Sequence, residues 1–153
     1  MDVVTLDAQA ADNGLAMMLQ GLLAENLAAS DGKRRAFESM SSTFGIVAPD
    51  AEVTVTLAFD SGRCTIYDGL RHEPDLVITA DSGKIPEMSL LSIRYGLPWL
   101  LDDNGKNFVR ALWKREIRID GLIRIPPTPL WAIKTAKAAL DLVRLTRILS
   151  VNS

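Results

Sequence analysis

The sequence predicts an α+β domain: a mainly antiparallel sheet of about four or five strands, packed by helices. Three observations carry that prediction. Residues 53–60 alternate apolar with small or polar side chains, and turn signals at Ser61-Gly62 and Asp68-Gly69 separate this run from two further apolar runs. Leu15, Met18, Leu19, Leu22, Leu23 and Leu27 recur at helical spacing before the strands begin. A fourth strand pattern, Glu116-Ile117-Arg118-Ile119-Asp120, stands far from the others, between two further helical segments.

In chain order, Asp12 is placed to cap a helix over residues 13–29, which Ser30-Asp31-Gly32 ends. Residues 33–44 predict a second helix with Ala36, Phe37, Met40 and Phe44 on one side. Gly45 and Pro49-Asp50 lead into the strands. Residues 63–67 run back beside the first strand, and residues 75–81 supply the third. Val53, Val55, Leu57 and Phe59 share a face with Cys64 and Ile66, and with Leu76, Ile78 and Ala80. That apolar face carries no catalytic side chain and needs a cover or a ligand. Ser82-Gly83 turns the chain. Pro86 suits the first turn of a middle helix with Met88, Leu91 and Tyr95 on one side and Gly96 as terminator. Residues 97–101 form an apolar connection. Asp102-Asp103-Asn104-Gly105 offers caps for a short helix through Trp113, and Thr128 with Pro129 starts a closing helix that reaches about Leu149.

The 153 residues form one domain, with residues 1–32 as an N-terminal helical extension and residues 33–149 as the core. The single cysteine, Cys64, excludes an internal disulfide and fits a reducing compartment. The acidic start, with Asp2, Asp7 and Asp12, is unlike a secretory signal. No apolar run reaches the ~18 residues of a membrane span. A cytoplasmic location is expected. Net charge is −2 but uneven: residues 1–103 hold 7 Lys or Arg against 16 Asp or Glu, and residues 104–153 hold 10 against 3. The halves then attract each other within one fold or across a homodimer. Alternatively, the second half presents a basic face to acidic headgroups, anionic lipid or nucleic acid.

The order strand, Asp60-Ser61-Gly62-Arg63-Cys64, strand, and then Pro74-Asp75-Leu76-Val77-Ile78-Thr79-Ala80-Asp81 resembles the sterol-transfer domain of the sterol carrier protein family. Glu116-Ile117-Arg118-Ile119-Asp120-Gly121 resembles that family's last strand. The resemblance covers residues 33–149. It implies an antiparallel sheet with helices on one face, enclosing an apolar tunnel for fatty acyl groups or sterols.

The expected function is therefore non-catalytic binding or transfer of an apolar molecule of fatty acyl, sterol or quinone type. The alternative is a protein-interaction or accessory module that uses the same fold without a ligand. Phe59, Ile78, Met88, Leu91 and Trp131 are the expected lining residues, and Arg118 is a candidate for orienting a headgroup. On the closing helix, Lys134, Lys137, Asp141 and Arg144 recur at steps of three and four, with Arg147 continuing the row. Leu130, Ile133, Ala136, Leu140, Val143 and Leu149 belong broadly to the other side. Lys134, Lys137, Arg144 and Arg147 would meet an anionic membrane surface, or simply form a solvated helix face. Trp99, Trp113 and Trp131 line a cavity, reach a bilayer interface or fill the core.

His72, the sole histidine, falls in a loop between Arg71 and Glu73 and reads as solvent-exposed. Cys64 reads as a buried, inert thiol. The chain has no phosphate loop, G-x-G-x-x-G, G-x-S-x-G or H-E-x-x-H, and its Cys and His residues cannot form a zinc site. The acidic run at 102–105 fails the calcium-loop spacing. No enzyme activity, cofactor, metal or nucleic-acid partner is expected.

Overall fold

A computed structural model describes residues 2–85, 100–121 and 129–150, together with the short strands Ile93–Arg94 and Leu97–Pro98. Of residues 93–94, 97–98 and 129–135 only the backbone is described. The elements are β1 (Val4–Leu6), α1 (Gly14–Ala29), α2 (Asp31–Glu38), β2 (Thr43–Ala48), β3 (Val53–Phe59), β4 (Cys64–Asp68), β5 (Leu76–Ala80), β6 (Ile93–Arg94), β7 (Leu97–Pro98), α3 (Asp103–Trp113), β8 (Ile117–Asp120) and α4 (Pro129–Leu149).

Six strands form one sheet in the order β1-β4-β3-β2-β5-β8, and β6 pairs with β7 apart from it. Antiparallel pairings join β4 to β3, β3 to β2 and β5 to β8. The sheet is thus mainly antiparallel, but β1 lies parallel to β4 and β2 parallel to β5. Register follows side-chain alternation. Phe44, Ile46, Val55, Leu57, Phe59, Cys64, Ile66, Leu76, Ile78, Ala80 and Ile117 are all buried on one face. A one-residue slip would bring Thr54, Thr56, Thr65 and Thr79 inward, so the pattern fixes the pairing.

Helices α1, α2 and the C-terminal half of α4 pack on one another, and α1 packs against β1, β3 and β4. Leu19, Leu23, Leu27, Ala36, Phe37, Ala138, Leu145 and Ile148 belong to the same buried core as the sheet face. Polar side chains fix this layer. Asn26 donates to the carbonyls of Ile148 and Leu149 at 3.0 and 3.2 Å, and the buried Lys33 ammonium donates to that of Ser150. Those carbonyls lie at the C-terminal end of α4, so α1 and α2 supply donors to the helix terminus.

Several boundaries differ from expectation. Asn13, not Asp12, caps α1, accepting from the N–H groups of Leu15 and Ala16 at 3.1 Å. The helix expected over residues 33–44 stops at Glu38, and Thr43–Ala48 is a central strand. Phe37, Met40 and Phe44 fall at helical spacing, yet they reach the core from a helix, a loop and a strand respectively. Serines at 39, 41 and 42 and the β-branched residues Thr43, Ile46 and Val47 disfavour helix continuation.

Ile93–Arg94 pairs with Leu97–Pro98 as strand, so the expected middle helix does not run on to Tyr95. Met88, Leu91, Tyr95, Gly96, Trp99 and Thr128 lie outside the described residues. The short helix before β8 is as expected, with Asp102 accepting from Gly105 N–H at 2.7 Å.

Candidate functional site

An open cleft of about 610 Å³ lies between β1, α1 and α2. Its floor is apolar: Val4, Leu27 and Phe37 are buried core residues whose outer surfaces form the bottom of the groove. One face of α1 makes the long wall, through Met17, Gly21, Ala24 and Ala28. These positions recur at steps of three and four and therefore share a helix side. Because three of the four are glycine or alanine, the wall has little side chain, and the space between α1 and α2 stays empty. A Cβ built on Gly21 would meet nothing within 4 Å.

Polar groups stand at the rim. Asp2, Gln20, Arg34 and Glu38 border the opening, and Gly62 in the β3–β4 turn closes one end. Arg34 pairs with Asp31 at 3.4 Å and donates to the carbonyl of Leu27 at 3.4 Å, which holds the guanidinium over the α1–α2 junction. Both charge signs and an amide are therefore available to a polar end group, while the interior offers apolar contact. Val3 and Met17 are about half exposed beside the groove, 46% and 54% respectively.

Phe59 stands directly behind the floor. Its ring meets those of Phe37 and Phe44 edge to face, with centroids 5.9 Å apart in both pairs. Phe59 is therefore one layer inside the cleft. Ile78 is buried on the same sheet face, between Ile46 and Ile119 in register. Of the other expected lining residues, Met88 and Leu91 lie outside the described residues, and Trp131 is described by its backbone alone. Arg118 lies on the opposite face of the terminal strand β8, largely exposed and 3.6 Å from Asp120. Sequence reasoning missed the cleft; its only signal was the small-residue spacing at Gly21, Ala24 and Ala28.

The basic row on α4 is not one uniform face. Asp141, expected on its solvated side, is completely buried. One carboxylate oxygen accepts from the Ser42 hydroxyl at 2.6 Å and from the N–H groups of Ser42 and Ser41 at 3.0 and 3.1 Å. The other accepts from Arg144 at 2.9 Å. Burial alone would raise the carboxyl's pKa. The Ser42 hydroxyl, the Ser41 amide and the Arg144 guanidinium outweigh it and hold Asp141 below the ordinary carboxylate range.

Arg144 also donates to the Ser39 carbonyl at 3.3 Å, so it clamps the α2–β2 loop. Lys137 is exposed and Arg147 partly buried; the Lys134 side chain lies outside the described ones. The apolar side of α4 is turned correspondingly. Ala138, Leu145 and Ile148 are buried, whereas Ala136 is exposed and Leu140 is half exposed. A fully hydrogen-bonded carboxylate can occupy the core face, and this is what periodicity misassigned.

Cys64 is buried on the inner sheet face, and burial pushes its thiol pKa far up, so it is no thiolate nucleophile. His72 is exposed, with its ring 4.6 Å from that of Tyr67. Among the described residues no three His, Cys, Asp or Glu side chains are grouped to hold a metal ion. No described helix is long and apolar enough to cross a membrane.

Solved structures share the architecture. The UbiJ-SCP2 ubiquinone synthesis protein superposes with a TM-score of 0.52 at 12% identity, covering 83% of this chain and 93% of its own. Weaker likenesses are to a sterol carrier protein 2, with a TM-score of 0.41, 21% identity and coverage of 83% and 92%, and to a Thermus thermophilus protein described as possibly a sterol carrier protein, with 0.39, 22% and coverage of 86% and 87%. The α+β fold is thus the one seen in the UbiJ-SCP2 structure. No protein-family model matches the chain. No curated protein matches it either.

Proposed function

We propose that this protein binds an apolar, lipid-like small molecule of the fatty acyl, sterol or quinone class and carries it without chemical conversion. The observation that carries the reading is the cleft between β1, α1 and α2: about 610 Å³, floored by Val4, Leu27 and Phe37 and kept open by Gly21, Ala24 and Ala28. That volume falls within the roughly 300–1,000 Å³ of small-molecule sites. The fold shared with the UbiJ-SCP2 ubiquinone synthesis protein agrees with such a role.

Burial of apolar ligand surface supplies the driving force. Some 300 Å² removed from water contributes roughly 7 kcal/mol at about 25 cal/mol per Å². Losses of ligand freedom oppose it. The resulting affinity is weaker than about 10 μM, which suits a carrier that must release its cargo. Nothing in the cleft supplies a nucleophile with a neighbouring base: its polar residues are Asp2, Gln20, Arg34 and Glu38, all at the rim.

The test is uptake of environment-sensitive fatty acid and sterol analogues by purified, delipidated protein, together with mass spectrometry of lipid extracted before delipidation. Saturable uptake displaced by the extracted lipid is expected. Absence of both uptake and extractable lipid would refute the reading and favour the ligand-free interaction module.

A further inference from the structure

A second surface, on the outer side of α3, is separate from the cleft. Trp113 ends this helix and is 89% exposed, the most exposed of the large apolar side chains described. A tryptophan that filled the core would be buried, so its position asks for another explanation. It is not isolated. Val109, four residues earlier, is 42% exposed, and Leu100 and Leu101, just before the helix, are 42% and 66% exposed. The inner side of the same helix is conventional, with Gly105 and Ala111 buried and Phe108 and Leu112 partly buried.

Cations surround the exposed apolar groups. Lys106, Arg110, Lys114 and Arg115 are all exposed. Lys106 is three residues from Val109 and four from Arg110, and Arg110 is three from Trp113, so these side chains are neighbours on one helix face. None of the four cations forms an ion pair among the described residues. Two exposed carboxylates lie nearby: Asp103 in the first turn, and Glu116 beyond the last, which pairs with Lys84 at 3.8 Å. Cations at a helix C-terminus complement its dipole, which accounts for Arg110 and Lys114. It accounts neither for Lys106 nor for a tryptophan and two leucines in water.

We propose that the outer face of α3 docks on the surface of an anionic phospholipid bilayer. Trp113 seats at the headgroup level, where an amphipathic ring has both an apolar and a polar neighbour. Val109, one turn earlier on the same helix face, enters beside it. Lys106, Arg110, Lys114 and Arg115 lie over the lipid phosphates, and screening by salt weakens their hold. The charge of this face favours a lipid surface over a second copy of the chain, since four exposed cations would then meet four more.

The experiment is co-sedimentation of the full chain with vesicles of phosphatidylcholine alone and of phosphatidylcholine with about one third phosphatidylserine, at rising salt. Wild type is expected to bind the anionic vesicles, to release with salt and to ignore the neutral ones. Trp113→Ser, at a site too exposed to affect folding, and the pair Lys106→Glu with Arg110→Glu should each lower partitioning about tenfold. The pair Lys134→Glu with Lys137→Glu on α4 should bind as wild type does. Circular dichroism confirms that each variant is folded. Equal binding by wild type and Trp113→Ser, or loss confined to the α4 pair, would overturn the proposal. So would a dimer in ultracentrifugation that Trp113→Ser converts to monomer.

Discussion

The rings of Phe37 and Phe59 meet edge to face, 5.9 Å between centroids at an interplanar angle of 79°. Phe37 belongs to α2 and forms part of the cleft floor; Phe59 ends β3 and is buried in the sheet. The pair makes the bottom of the groove a rigid extension of the core, so a ligand meets a preformed apolar surface. An edge-to-face pair contributes about 1 kcal/mol beyond its buried area.

Replacing Phe59 by Leu removes two ring contacts, to Phe37 and to Phe44. The expected cost is about 1–3 kcal/mol of stability, read as a lower urea midpoint. A weaker affinity for the acyl probe should accompany it, because Phe37 loses its support. An unchanged midpoint would show that the aromatic cluster does not brace the floor.

Asp141 should make stability depend on acid. Its folded pKa lies below the ordinary value, so its contribution is complete above about pH 4 and is lost as pH falls through the lower folded pKa. Asp141→Asn keeps the shape and removes the charge from a site holding Arg144 and two N–H donors. A loss of about 2–3 kcal/mol is expected at pH 7, shrinking toward pH 2. Urea melts of both proteins across that range measure it, and a gap that stays constant with pH would contradict the role given to the carboxylate.

Gly121, just after β8, has φ +109°, and a Cβ there would come within 2.5 Å of the Asp75 carbonyl oxygen. Gly121→Ala therefore strains the backbone and forces β8 away from β5. The expected loss is on the order of 2 kcal/mol. Thermal melting tests this, and a variant as stable as wild type would show that the strand end can relax.

His72→Ala should leave probe affinity within about twofold, since the imidazole is exposed and stands outside the cleft lining. A fluorescence titration would expose a larger effect and, with it, a ligand contact that the geometry does not contain.

The parts of this fold legible in sequence are those with a clean period. Alternation over Val53–Phe59, Cys64–Asp68, Leu76–Ala80 and Ile117–Asp120 finds four of the sheet's strands with their inward faces. β2 is hidden because Phe37, Met40 and Phe44 imitate a helical stripe across three different elements. β1, of three residues, is too short to show a period, and its parallel pairing with β4 is a long-range choice. The faces of α4 are misread because Asp141 counts as solvent-seeking until Ser41, Ser42 and Arg144 are known to surround it. The cleft is harder still: its signal at Gly21 and Ala24 is missing side chain, and only the approach of α2 gives that absence a shape.

The central claim is that the empty space beside Gly21 is where the ligand goes, and Gly21→Leu tests it most directly. A Cβ at this position meets nothing within 4 Å and Gly21 lines the groove, so a leucine side chain is expected to extend into the open space. Leucine also favours the helix over glycine by about 0.5–1 kcal/mol, so the variant should be at least as stable as wild type. Titration of both proteins with the same fluorescent fatty acid should then show affinity falling by about tenfold or more while thermal stability holds or rises. Undiminished affinity in that folded, stabilised variant would place the ligand elsewhere and contradict the account.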